Sequence, residues 1–243
     1  MFDIHSHIIF GVDDGSRDPG ESLRLIEMDK KQGVTDIIAT PHYYVNHPSH
    51  PDRILRRLEE LRKQLREHGL DEGLRLYPGN EVLWFESMPE KLNSGEILPL
   101  GDSRFTLVEF YPEESWSTIL NAVRKLRNAG WRPVIAHAER FFALREPGEG
   151  KKSRLAELIS QGAYIQLSTD PFGGGLFDST ARFCKTAVRN NEVHFLGTDM
   201  HRQDRRPPVW NPAVRFIEKK ADRPDALLQK NAERMMRNED FIW

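Results

Sequence analysis

Short apolar runs alternate along this chain with longer stretches in which apolar residues recur every three or four positions. The runs FDIH (2–5), VTDIIAT (34–40), LRLYPGNEV (74–82), FTLVEF (105–110), RPVIAH (132–137), AYIQLS (163–168) and VHFLGTD (193–199) read as seven strands. Between most of them lie amphipathic helical patterns: DPGESLRLIEMDKKQG, PDRILRRLEELRKQLREHG, SWSTILNAVRKLRNAG, SRLAELISQG and TARFCKTAVRNN. A further one, RPDALLQKNAERMMRN, follows the last strand. The first helix has clear limits: Asp18 as N-cap, Pro19 at its first position, Glu21 three residues after the cap and Gly33 at its close. Such alternation predicts an α/β fold with a parallel sheet, closed or nearly closed into a barrel, or else open and doubly wound.

Composition narrows the picture. The 243 residues contain no tandem repeat, low-complexity stretch or Gly/Ser linker, so 1–243 reads as a single domain. A net charge of −2 gives no basic footprint for nucleic acid. No apolar run approaches a membrane span, and MFDIHSHIIF lacks the pattern of a signal peptide. The lone cysteine, Cys184, excludes an internal disulfide framework and fits a reducing compartment. These features predict a cytoplasmic protein without nucleic-acid partner or membrane insertion; oligomeric state is not set by the sequence.

In parallel α/β architectures, chemistry gathers where the strands end, because the loops there converge. The first strand delivers His5, His7, Asp13 and Asp14; the second, His42; the third, Glu81; the fourth, Glu109. The fifth delivers His137, Glu139 and Arg140, the sixth Gln166 and Asp170, and the seventh Asp199 and His201. Five of the nine histidines thus fall at strand exits, each in the company of carboxylates. One such histidine is ordinarily a hydrogen-bonded structural residue. The whole set is different, since carboxylates crowded at one mouth without a cation would repel one another. Imidazole with carboxylate suits divalent transition metals. His5 and His7 fall on one side of an extended chain and can grip one ion. His47, His50, His68 and His194 read as surface or structural.

The order DIHSHIIFGVDDGS, ATPH, GNE, IAH and TDMHRQDRRPP resembles the PHP (polymerase and histidinol phosphatase) superfamily over almost the whole chain. Within it, the likeness is to bacterial PHP-type protein-tyrosine phosphatases of capsule and exopolysaccharide operons. The resemblance implies a distorted (β/α)7 TIM-like barrel holding two to three divalent ions, manganese ahead of iron, zinc, cobalt or magnesium. It implies that His5, His7, Glu81 and Asp199 hold one ion, with Glu81 bridging. Glu109 and His137 would complete a second, and Asp14, His42 and His201 would hold the third. Arg140 in HAER and Arg206 in RRPP would match the phosphate-binding arginines. The chain reads AHAER where the family usually has HPER, and GTDMH where SDMH or SDAH is common; neither change removes a ligand.

Clustered divalent ions acidify a bridging water to a pKa of roughly 7 and clamp the attacking and leaving oxygens of a phosphate ester. The expected nucleophile is therefore hydroxide, with arginines binding the other phosphate oxygens. A cysteine-thiolate phosphatase needs an arginine six residues after the cysteine, and that position here is Asn190. No GxSxG elbow or GxxxxGK[ST] loop occurs. Gly173, Gly174 and Gly175 suit either a lid or a plain turn. Tyr43, Tyr44, Trp84, Phe85, Phe110 and Tyr111 beside the ligands either line an entrance for phosphotyrosine or pack beneath the loops. The basic run Arg202, Arg205 and Arg206 follows the last ligand directly.

The expected activity is hydrolysis of phosphotyrosine on a protein, the substrate implied by resemblance being the tail of an autophosphorylating bacterial tyrosine kinase. The rivals are a small-molecule phosphatase, such as one acting on histidinol phosphate, and a non-catalytic metal-binding regulatory module.

Overall fold

The computed structural model describes residues 1–148, 150, 152–175, 177–239 and 241. All paired strands run parallel. Strand β1 (Phe2–Ser6) pairs with β2 (Asp36–Ala39), and β2 pairs with β4 (Arg75–Pro78). A second ladder runs β3 (His42–Tyr43), β5 (Glu81–Leu83), β6 (Phe105–Glu109), β7 (Arg132–Ile135), β8 (Tyr164–Ser168), β9 (Phe195–Gly197). Beyond β9, a parallel bridge from Met200 to Ser6 brings this ladder against β1. The strands thus curl into a half-barrel with helices outside.

Two of the expected strands are each broken in two. The second stops at Thr40, because Pro41 offers no backbone N–H and biases the residue before it. The third breaks at Gly79–Asn80, where the Asn80 side chain fills the gap by donating to the Pro41 carbonyl at 2.9 Å and accepting from Leu98 N at 2.9 Å. Pairing keeps the same offset on both sides: Ala39 faces Pro78, and His42 faces Glu81. Each break lies just before the residue that enters the functional cluster.

The helices α1 (Pro19–Lys30), α2 (Pro51–Glu67), α4 (Trp116–Asn128), α6 (Arg154–Ser160) and α7 (Ser179–Arg189) match the amphipathic patterns. Asp18 caps α1 as expected, accepting from Glu21 N. Sequence patterning missed α3 (Met88–Ser94), α5 (Phe142–Arg145) and α8 (Asn211–Lys220). The first two span two turns or fewer, too short for a period of 3.6 to show. The expected final helix is divided into a π-helical turn, Ala226–Lys230, and α9 (Asn231–Met236).

Inside the curl, Phe2, Ile4, Ile38, Phe105, Leu107, Val134, Ala136 and Phe195 form one buried cluster with Ala232 and Met235 of α9. This apolar plug fills the amino ends of the strands and leaves polar chemistry to the opposite end. A larger apolar layer joins the sheet's outer face to the helices. No described helix is long and apolar enough to cross a membrane.

Candidate metal centre

The strand ends bring their polar residues within touching distance. In β1 the register against β2 slips by one residue between Asp3 and Ser6, a bulge that re-aims the side chains beyond it. His7 lies just past β1, and its Nε2 sits 3.3 Å from His5 Nε2. Two glycines permit the close approach. A Cβ on Gly197 would lie 2.5 Å from the His5 Cβ, and one on Gly15 would lie 2.2 Å from the His7 carbonyl oxygen. Glycine in FLGTD and in GVDDG is therefore a packing requirement of the site. His137 (φ 30°) and Asp199 (φ 53°) hold left-handed backbone, a strain found where surrounding structure fixes a functional side chain.

Glu81 is the hub. Its Oε2 lies 3.2 Å from His5 Nε2, 3.2 Å from His7 Nε2 and 3.1 Å from His42 Nδ1, yet it is buried with no hydrogen-bond partner. Its Oε1 lies 2.6 Å from His137 Nε2. Asp199 Oδ1 is 3.4 Å from both His5 Nε2 and His7 Nε2, while its Oδ2 bonds Arg140 Nη2 at 2.5 Å and also Arg206 Nη2. Glu109 Oε1 stands 3.2 Å from His42 Nδ1. On the outer side, Asp14 Oδ1 is 3.5 Å from His42 Nε2 and 3.5 Å from His201 Nε2.

The surrounding hydrogen bonds fix which ring nitrogens carry protons. The backbone N–H of His137 can only donate, so the Gln166 atom 2.7 Å from it is the amide oxygen. That same oxygen lies 3.1 Å from His5 Nδ1, which must then be the N–H. Asp13 Oδ2, at 2.7 Å, likewise makes His7 Nδ1 a donor. In their neutral forms both rings turn an unprotonated Nε2 toward Glu81 and Asp199. Lone pairs facing carboxylates are stable only around a cation, and a divalent ion supplies it. Otherwise the rings must be protonated. Burial alone would lower His5 and His7, but the carboxylates outweigh it and hold both above the ordinary imidazole range. Asp199 answers in kind: burial would raise it, yet His5, His7 and Arg140 hold it well below the usual carboxylate range.

The model of the family described as "Capsular polysaccharide synthesis, CpsB/CapC" matches residues 1–237. The chain belongs to this CpsB/CapC family. It is 36% identical over 245 residues to the tyrosine-protein phosphatase CpsB of Streptococcus agalactiae serotype V, covering 98% of this chain and 99% of that protein. It is 30% identical to the tyrosine-protein phosphatase YwqE of Bacillus subtilis, covering 100% and 94%. A chain from the crystal structures of B. subtilis YwqE and Streptococcus pneumoniae CpsB, described as unique metal-dependent tyrosine phosphatases, superposes with a TM-score of 0.89 at 27% identity. That match covers 100% of this chain and 96% of the other. The hisK structure from Listeria monocytogenes shares the fold, with a TM-score of 0.52 at 12% identity over 83% of this chain and 95% of that one.

In this CpsB/CapC chain, three sets of side chains have ligand atoms within 4.8 Å of one another: His5, His7, Glu81, Asp199; His7, Asp14, His42, His201; and His42, Glu81, Glu109. The first set is the one the family resemblance implied for a single ion. The other two add His7 and His42 as shared members, and His137 joins through Glu81. Sequence reasoning placed Asp13 and Gln166 at strand exits but gave them no role; here they orient His7 and His5. Cys184 is buried on α7 and burial pushes its thiol up, so it is no thiolate nucleophile. Of the flanking aromatics, Tyr43 and Phe110 are buried and Trp84 and Phe85 pack on the core, which settles them as packing. Tyr44 stacks on His42 at 5.1 Å, and Tyr111 is exposed. Gly173 ends a 3-10 turn (Asp170–Gly173), and a Cβ on Gly174 would strike Asp178; Leu176, in the same stretch, lies outside the described residues. His47, His50 and His68 are surface residues, and His194 is buried far from the cluster's partners.

Proposed function

We propose that the chain is a metal-dependent protein-tyrosine phosphatase, acting in the cytoplasm as a single domain on an autophosphorylating tyrosine kinase of capsule synthesis. The observation that carries this reading is the convergence of the Nε2 atoms of His5 and His7 on Glu81 and Asp199, with two arginines on the outer oxygen of Asp199. Relatives covered end to end bear the name tyrosine-protein phosphatase. The fold is read as a distorted (β/α)7 barrel; constant pairing offsets across the two breaks support counting β2 with β3, and β4 with β5, as single strands, and the Ser6–Met200 bridge supports closure against β1.

Two to three divalent ions fit, with manganese preferred over iron, zinc, cobalt or magnesium. His5, His7, Glu81 and Asp199 would hold one. Glu81, Glu109 and His137 would hold a second, and Asp14, His42 and His201 a third. When bound, such ions acidify water and neutralise charge on phosphoryl oxygens. The protein's own contribution is orientation. Gln166 and Asp13 lock the rings of His5 and His7. Arg140 and Arg206, each with more than a third of its side chain exposed, keep guanidinium donors free for the phosphate. Tyr44 offers a ring face beside His42 for an aromatic leaving group.

The test compares turnover of a phosphotyrosyl peptide with that of histidinol phosphate by the metal-loaded protein. Preference for the peptide is expected. Preference for histidinol phosphate would make this a small-molecule phosphatase. No turnover of either with Mn, Fe, Co or Zn would leave a metal-binding module without catalysis.

A further inference from the structure

Large apolar side chains that remain exposed are few: among the described residues they are Val45, Leu55, Tyr111, Phe142 and Phe177. Leu55 lies on α2. The other four follow the carboxyl ends of β3, β6, β7 and β8, on the rim of the mouth into which the histidine–carboxylate cluster opens. Scattered exposed hydrophobics are ordinary, whereas their gathering on one rim marks an interaction surface.

Three of them are rings on consecutive loops: Tyr111 is 62% exposed, Phe142 55% and Phe177 98%. Hydrogen bonds tie those loops together. Phe142 N donates to the Pro112 carbonyl at 2.9 Å, which sets Phe142 beside the Tyr111 loop. Two residues before Phe142, Arg140 reaches Asp199. At the far end of α5, Arg145 donates to the Glu139 carbonyl and to Thr180 Oγ1, three residues past Phe177. A ridge of three rings therefore borders the Arg140 side of the mouth. Past it, a groove of about 430 Å³ opens between α5, α6 and α7, its lining holding Leu144, Leu155 and Phe183 and also carrying Arg145, Arg182 and Glu192.

We propose that this ridge and groove dock the polypeptide that carries the phosphotyrosine, selecting apolar side chains close to it in sequence. The proposal rests on the protein-tyrosine phosphatase reading. The occupant follows from continuity with the cluster. A tyrosine whose phosphate lies beside Arg140 and Arg206 must leave its backbone at the rim, because its side chain reaches inward from there. Its sequence neighbours then cross the ridge, where an apolar residue finds rings and, further along, a groove. A small phosphate ester ends at the cluster and touches neither.

The experiment uses the full chain loaded with manganese and measures kcat and KM on three substrates. These are a phosphotyrosyl peptide with leucine and phenylalanine within four residues on both sides, the same peptide with serines there, and p-nitrophenyl phosphate. The parent protein should favour the apolar-flanked peptide. In the double variant Phe142→Ser, Phe177→Ser, kcat/KM on that peptide should fall roughly tenfold, the scale expected when two aromatic rings are removed from an interface. The effect should lie in KM, with the serine-flanked peptide and p-nitrophenyl phosphate unchanged. An equal decline on all three substrates, or none on the apolar peptide, overturns the proposal. So does a change of oligomeric state in the double variant by light scattering, because a second copy would then cover the ridge. If the parent hydrolyses p-nitrophenyl phosphate but neither peptide, the protein-phosphatase reading itself fails.

Discussion

His194 and His5 are both completely buried, yet they sit toward opposite ends of the curled sheet and do opposite things. His194 precedes β9. Its Nδ1 accepts the backbone N–H of Ile165 at 3.0 Å, and its ring lies among Tyr164, Phe195 and Phe241. A nitrogen that accepts from a backbone amide carries no proton, so the ring is neutral, and burial pushes it down to about 3. His5 donates its Nδ1–H to Gln166 and turns Nε2 to Glu81, Asp199 and His7. Burial acts on it too, but the carboxylates outweigh burial and draw positive charge to the site, as protons or as metal. Equal burial of one residue type thus yields an inert core group at one end and a ligand at the other. The neighbours decide, and the strand end decides the neighbours.

The sharpest way to break this contrast is at its hub. Glu81→Gln keeps the size of the side chain but removes the charge that four histidines face. Metal content measured by mass spectrometry should drop, and phosphatase activity should fall roughly a thousandfold or more, because bound ions supply several kcal/mol of transition-state stabilisation. Retention of both metal and activity would separate the cluster from the chemistry. Arg206→Ala comes next. Loss of one preorganised donor costs about 10²–10³ in rate, with metal content unchanged and inhibition by inorganic phosphate weakened. A variant that lost its metal instead would show Arg206 to be a support of Asp199 rather than a phosphate ligand.

Much of this was readable in the sequence, for a physical reason. The alternation of apolar runs with amphipathic stretches sets parallel strands, and parallel strands fix which residues share an end. His5, His7, Glu81 and Asp199 were therefore all placed at one mouth although 194 positions separate His5 from Asp199, while their grouping around one ion came from the family resemblance. What escaped were features whose cause is not periodic. The breaks at Pro41 and Gly79 depend on how Asn80 bridges two chains, and α5 is a single turn. The roles of Gln166 and Asp13 were invisible because their partners come from hydrogen-bond geometry, not from spacing. The exposed ridge was equally hidden. Tyr111 and Phe110 are adjacent in sequence, yet one is exposed and the other buried.

Gln166 offers a subtler intervention at the metal end. Gln166→Leu leaves His5 Nδ1–H and His137 N–H without an acceptor, so the His5 ring loses its orientation. Metal affinity should fall about 10–100-fold, the usual cost of losing such support. The absorption spectrum of the cobalt-loaded protein should shift as the coordination changes. Gln166→Glu keeps an oxygen that can accept from both donors and should restore most of the affinity. Equal behaviour of the two variants would show that mere volume at position 166 matters.

The smallest effect belongs to the amino end and concerns stability alone. Because His194 titrates lower in the folded chain than in the unfolded one, the unfolded state binds more protons between about pH 3 and pH 6.5. Its contribution to stability is therefore full above the unfolded value and is lost as pH falls. From pH 7 to pH 6 the loss is about 0.7 kcal/mol. His5 and His7, raised in the folded metal-free protein, push the other way, adding stability as pH falls. The cluster end itself holds groups shifted in both directions, since His201 is pushed down to about 3 by burial, so only a difference isolates His194. Chemical unfolding of metal-free wild type and His194→Asn at pH 7 and pH 6 provides it. Asparagine can still accept from Ile165 N but cannot titrate, so the gap between the two proteins should shrink toward pH 6 by that amount, with phosphatase activity of the metal-loaded forms alike. A gap that widened on acidification would mean that His194 gains a proton on folding, and the contrast with His5 would collapse.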